Sequence, residues 1–233
     1  MKALRSHSAT NVGVPQAGPH RVLVWDLPTR VFHWLLVLLV ATSFVTGKIG
    51  GTTMQVHEWS GVAILVLVLF RVVWGFVGGV HSRFIAFVTG PRKALEYART
   101  LFRPQAKPYL GHNPLGGWSI IAMLVALGIQ AGTGLFANDD ILTEGPLFAW
   151  VSKDTSDWLT GIHHFNQNFL VALVALHLSA VLFHLVVKHE NLIPAMVTGY
   201  KSWPEGAADA SGSSIKAVLL LAALASGAYL VLY

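Results

Sequence analysis

Cysteine is absent from this 233-residue chain. Its absence excludes disulfides, thiolate-held metals, iron–sulfur clusters and any cofactor tethered through a C-x-x-C-H motif. Charge is scarce too, at 12% of residues, where a soluble globular domain carries about 25%. That shortage points to lipid. A cleavable leader is not expected: roughly thirty polar or turn-forming residues, Pro15, Pro19 and Pro28 among them, precede the first apolar run. A secretory signal sets its apolar region nearer the start and follows it with small residues. The first apolar run is therefore expected to stay.

What the chain does have is apolar bulk, 54% of residues, with eight Trp and twelve Phe. Five runs, 31–47, 61–77, 117–136, 165–187 and 215–232, approach the length that a hydrocarbon core of about 30 Å demands. Lys and Arg are distributed unequally between the connections. Lys2, Arg5, Arg21 and Arg30 precede span one; Arg83, Arg92, Lys93, Arg99, Arg103 and Lys107 lie between spans two and three. Lys188, Lys201 and Lys216 follow span four, and only Lys48 and Lys153 lie on the other side. Positive residues stay inside, so the N-terminus is expected in the cytoplasm and the C-terminus in the periplasm. The formal charge of +5 is then a topology signal, and no nucleic-acid partner is expected.

The fold expected is an all-α integral membrane protein. Its parts are a disordered cytoplasmic tail at 1–21, a four-helix transmembrane domain at 22–200, a linker at 201–214 and a fifth, peripheral transmembrane helix at 215–233. Residues 91–102, with Leu95, Tyr97, Ala98 and Phe102 set against basic neighbours, suit a short amphipathic helix on the membrane surface. A solvated connector suits them equally. Segment 137–161 carries Asp139, Asp140, Glu144, Asp154 and Asp157 against Lys153 alone. Ala222, Ala223, Ser226 and Gly227 form a small-residue pattern suited to close helix packing, so span five is expected to pack on the bundle or on a second protomer, giving a homo-oligomer.

Four histidines, His33, His57, His163 and His177, lie inside or at the edge of the spans. An ionisable side chain is expensive in lipid and marks function by default. His163 and His177 are fourteen residues apart, which in an α-helix is a rotation about 40° short of four turns and a rise of about 21 Å. They share a face and lie near opposite sides of the bilayer. Depth matching pairs His57 with His163 outside and His33 with His177 inside, the pattern of two haems, each between two axial imidazoles. His184, seven residues past His177, shares its face and competes for the inner site, whereas His164 points elsewhere. His7, His20, His81, His112 and His189 are expected to be solvated surface residues. Zinc fits less well, because each site offers two imidazoles and zinc takes three or four ligands.

Arg71, fourteen residues after His57, falls at the depth of the inner pair, and no acidic residue lies in the inner half of any span. A haem propionate would supply the missing counter-charge. Arg30, one turn before His33, is a second propionate candidate and equally a membrane anchor. Gly61, Gly132 and Gly134 would admit the macrocycle or close helix packing.

Arg30-Val-Phe-His33-Trp34, His57-Glu-Trp-Ser-Gly61 with Arg71-Val-Val-Trp74, and Gly161-Ile-His163-His164 followed by His177 together resemble the bacterial cytochrome b-561 family. That family includes the cytochrome b subunits of nickel-iron hydrogenases and formate dehydrogenases. The resemblance covers residues 22–200. It implies a four-helix bundle with two b haems ligated by His33, His57, His163 and His177, in the bacterial inner membrane. It also implies electron transfer between membrane quinone and a periplasmic redox partner, either a c-type cytochrome or an oxidoreductase such as a hydrogenase. Two other readings compete: a self-sufficient superoxide or quinone oxidoreductase of the same fold, and a haem-free transporter. The acidic outer loop argues against superoxide as substrate.

Overall fold

A computed structural model describes residues 20–101, 109–203 and 207–232. Five helices are long and apolar enough to cross a membrane. They are α1 (Leu27–Ile49), α2 (Met54–Val77), α5 (Pro114–Gly134), α6 (Lys153–Val186) and α8 (Ser214–Leu232). Short helices α3 (Phe84–Phe87) and α4 (Pro91–Thr100) join α2 to α5, and α7 (Ile193–Thr198) follows α6. The expected disordered tail lies outside the described residues except for its last two, and so do Arg103, Lys107 and Phe102 of the connection after α4.

Three of the five long helices start on a side-chain cap. The Asp26 side chain accepts from the Thr29 amide and Pro28 occupies the first turn of α1; Asn113 and Pro114 do the same for α5, and Ser152 caps α6. These are N-cap residues with a pre-set proline φ. The Ser152 cap lets α6 run 34 residues, so it begins well before the apolar stretch that its sequence suggests. Between α1 and α2 the chain reverses through Gly50 and Gly51, with φ of 71° and 58°, a left-handed pair that only glycine adopts readily.

Helix α2 is the centre of the bundle. It packs on α1, α5 and α8, whereas α6 makes its main helix contacts with α5. The apolar core joins Phe32 of α1, Ile64, Leu67, Phe70 and Trp74 of α2, Leu124 and Leu127 of α5 and Ala217 of α8. Helix α4 turns Ala94 inward and leaves Leu95 exposed, an amphipathic element packed against α5.

Span five packs by a different face from the one its sequence suggests. Ala217, Leu220, Leu221 and Leu224 meet the core, while Ala222, Ala223, Ser226 and Gly227 are exposed. The bulky residues offer more dispersion contact with α2 than the small ones, and the small-residue face turns outward.

A two-stranded ladder, absent from the sequence-based expectation, closes one end. Strand β1 (His20–Leu23) pairs antiparallel with β2 (Tyr200–Trp203), His20 opposite Trp203. On the free edge of β1, Ala210 N–H donates to the Leu23 carbonyl at 2.6 Å, and Leu23 N–H donates to Asp209 at 2.6 Å. Residues on both sides of the four-helix domain thus tie its entrance and exit together. This end also carries Arg30, Arg83 and Lys201 and is termed the basic end; the opposite, acidic end carries the α5–α6 connection.

Asp26 knots the basic end. It is 2% exposed and its second oxygen accepts from Trp74 Nε1–H at 3.2 Å and Gly79 N–H at 3.1 Å. Thr29 and Ser82 hydroxyls meet at 2.8 Å, and Arg71 Nη2 donates to the Ser82 carbonyl at 3.0 Å. The start of α1, the end of α2 and the following loop are therefore one hydrogen-bonded unit.

Candidate haem-binding site

Helix α6 makes its main helix contacts with α5 and not with the α1–α2 hairpin, and both carry histidines, His33 and His57 on the hairpin and His163 and His177 on α6. At the acidic end the His57 and His163 rings lie 6.0 Å apart, at 80° to each other. Metal–imidazole bonds of about 2 Å would place a single ion between two such rings. His57 Nδ1 contacts the Ser43 carbonyl at 2.7 Å, and His163 Nδ1 contacts the Gln130 carbonyl at 2.9 Å. A carbonyl only accepts, so both Nδ1 atoms carry the proton and both Nε2 lone pairs are free. This outer-shell partner is the one that orients and tunes a metal-binding imidazole.

Space for these rings comes from glycine. A Cβ at Gly47 would lie 2.7 Å from His57 Nδ1, and one at Gly134 would lie 3.0 Å from His163 Cε1. Gly47 carries no signal in the sequence, because the His57 ring it admits is on another helix. Gly61 and Gly132 have nothing within 4 Å of their Cβ positions. Gly47→Ala is expected to displace the His57 ring and reduce haem at the acidic end at least several-fold, with haem at the basic end retained; quantitative absorbance of the two bands checks it.

At the basic end His33 of α1 and His177 of α6 lie within electrostatic reach of each other. His184 is engaged elsewhere: its Nδ1 lies 3.1 Å from Glu190, whose other oxygen holds Lys201 at 2.6 Å. His164 is exposed beside His163. His81 Nε2 meets the Ala208 carbonyl at 3.0 Å, and His189 is an exposed residue with φ of 52°. Among the described residues no group of three or more His, Asp or Glu could hold a metal ion by itself, so the donor sets are imidazole pairs, as haem requires.

His112 departs from expectation. It is not a solvated loop residue. Its ring sits between Trp25, at 4.5 Å, and Phe87, at 4.9 Å, because the β1–α1 entrance folds over the start of α5. Burial, then the charge of Arg71, pushes it down to about 3, so it is a neutral imidazole.

Arg71 is 3% exposed, with its guanidinium over the Phe84 and Phe87 rings at 5.1 and 5.8 Å. The sequence suggested no carboxylate near it, yet the Asp26 charge reaches it from outside the spans. Asp26 is already occupied by three N–H donors, and Arg71 Nη1 has no partner. Five buried side-chain polar atoms among the described residues lack one: Arg30 Nε, His33 Nδ1, Arg71 Nη1, Thr89 Oγ1 and His112 Nδ1. Buried polar groups are normally satisfied, and all five belong to the basic half. Two guanidinium donors that cannot accept call for an acceptor-rich anion, which the two carboxylates of a haem supply. The residues present fit that group.

The prokaryotic cytochrome b561 family matches residues 24–199. The chain belongs to that family. It is accordingly a multi-pass membrane cytochrome of the b type, a haem protein of electron transfer. Among curated relatives, it is 26% identical to "Probable Ni/Fe-hydrogenase B-type cytochrome subunit" of Bradyrhizobium diazoefficiens, covering 86% of this chain and 94% of that one. A protein of the same description from Azotobacter chroococcum is 28% identical over 81% of this chain and 91% of its own. The hydrogenase 1 counterpart of Escherichia coli K12 is 26% identical over 77% and 90%. No solved structure matches.

Proposed function

We propose that this cytochrome holds two b haems in series, His57 with His163 at the acidic end and His33 with His177 at the basic end. In this reading it passes electrons between an external oxidoreductase and membrane quinone. The observation that carries the reading is the His57–His163 ring pair at the acidic end, together with His177 fourteen residues along the same helix and within electrostatic reach of His33. Haem iron supplies a one-electron couple. The protein would supply the four imidazoles, carbonyl acceptors for the Nδ1 protons of His57 and His163, and Arg30 and Arg71 for the propionates.

The basic end faces the cytoplasm and the acidic end the periplasm of a bacterial inner membrane, by the bias of Lys and Arg. The names of the relatives favour a nickel-iron hydrogenase as the donor, with a c-type cytochrome as the other candidate. The outward small-residue face of α8 is the surface for a second protomer. The test is a haemochrome assay expected to give two haems per chain, followed by quinone reduction driven by hydrogenase and hydrogen. One haem per chain, or no quinone reduction with a competent donor, contradicts it.

Docking is assigned to the α5–α6 connection. Asp139 Oδ1 accepts from the amides of Ile141, Leu142 and Thr143 at 2.8–3.0 Å, which holds its carboxyl well below the usual range. Lys153 pairs with Asp140 and Asp157. The turn presents Ile141 and Leu142, 82% and 90% exposed, within an acidic field. Charge complementarity chiefly raises encounter rate. Replacing Asp139 and Asp140 by Asn and Glu144 by Gln keeps the turn's acceptors and removes three charges. The bimolecular rate with a basic partner is expected to fall several-fold at 0.01 M salt and little at 0.1 M, where screening acts beyond about 10 Å. An unchanged low-salt rate, measured by stopped flow, would leave these acids a topological role alone.

A further inference from the structure

The four sealed and unpartnered groups other than His33 adjoin one another through shared neighbours. Phe87 contacts both the Arg71 guanidinium, at 5.8 Å, and the His112 ring, at 4.9 Å, and Thr89 follows two residues later. Trp25 packs against His112 at a tilt of 45°, and its carbonyl flanks Gly199 together with Arg30 Nε. Arg30 is anchored through Nη1 to the Val197 carbonyl at 2.8 Å, and Arg71 through Nη2 to Ser82. Each guanidinium therefore has one edge fixed by backbone and another nitrogen buried and free.

We infer that His112 is a positioning residue for the haem at the basic end, its Nδ1–H donating to a carboxylate on the macrocycle edge that Arg30 and Arg71 also hold. Three observations lead there. His112 Nδ1 is buried without a partner, which is costly if nothing meets it. The ring has its orientation fixed by two aromatic neighbours, so the donor is aimed before any ligand arrives. The two arginines carry two positive charges into a region whose one described buried carboxylate, Asp26, offsets only one of them and already accepts from three N–H donors. An uncharged quinone oxygen would leave that charge uncompensated, whereas a carboxylate answers both the charge and the donors.

This inference rests on the assignment of a haem between His33 and His177, and its test separates the two. His112→Phe keeps the aromatic packing and deletes the N–H; His112→Asn places an amide N–H near the Nδ1 position. Redox titration of the purified full-length protein, with the two haems resolved by absorbance, is the measurement. In the Phe variant the basic-end midpoint potential is expected to fall, because the carboxylate's negative charge is less offset, while the acidic-end potential stays put. The Asn variant should return toward wild type. Loss of the basic-end haem in the Phe variant with retention in the Asn variant reads the same way. Equal potentials in wild type and the Phe variant, loss of that haem in both variants, or a change confined to KM for quinone would overturn the role of His112 and leave the two-haem assignment standing. A single haem in the wild-type protein would overturn both.

Discussion

His57→Ala or His163→Ala is expected to halve the haem content, from two per chain to one, and to spare the basic-end spectrum. His33→Ala or His177→Ala should do the reverse. The asymmetry follows from the distance between the sites, since fourteen residues of α6 separate its two imidazoles by about 21 Å, and from separate supporting contacts. Ser43 and Gln130 orient the acidic-end rings, while nothing at the basic end uses them. His184→Ala is the informative control. Its ring is tied to Glu190, so removing it should leave both haems in place. Haemochrome quantification with low-temperature spectra decides each case, and loss of the basic-end haem in the His184 variant would reassign that ligand.

The second large effect concerns Asp26. Asp26→Ala leaves the Thr29 amide, the Trp74 indole N–H and the Gly79 amide without their acceptor in a sealed site. Each abandoned buried donor costs about 1–3 kcal/mol, so a loss on the order of 4 kcal/mol is expected. Asp26→Asn retains one carbonyl oxygen and should lose about half as much. Gly212→Ala reaches the same knot from the other side, because its Cβ would lie 2.1 Å from Asp26 Oδ2. Thermal unfolding in detergent, followed by circular dichroism, is the measurement. Asp209→Ala, at an exposed strand-edge contact, should cost much less; equal losses at positions 26 and 209 would remove Asp26 from its central place.

The spans and four histidines were legible for one reason: lipid enforces both. Bilayer thickness sets how long an apolar run must be, and an imidazole in that run is too costly to be incidental. What lay outside lipid was harder. His112 looks like any loop histidine until Trp25 and Phe87, distant in sequence, close on it. Asp26 looks like a helix cap and is one, but its second oxygen serves residues 48 and 53 positions away. Strands of four residues paired across roughly 180 positions leave no periodic signal. On α8 the small-residue motif was visible, yet a motif that favours close approach does not say which helix approaches.

Helix α6 leans on α5, and α1 leans on α2, while α2 and α5 make the seam between the two hairpins. That division has a consequence for biogenesis. Each hairpin can insert and zip as an autonomous unit, in line with a two-stage assembly in lipid. Helix α6 makes its main helix contacts with α5 and not with the α1–α2 hairpin, so a haem held between His33, His57, His163 and His177 would serve as mortar as well as conductor. The expected order of assembly is hairpins first, cofactor between them, and the strand clasp at the basic end last, a sequence that pulsed hydrogen exchange during refolding in detergent would check.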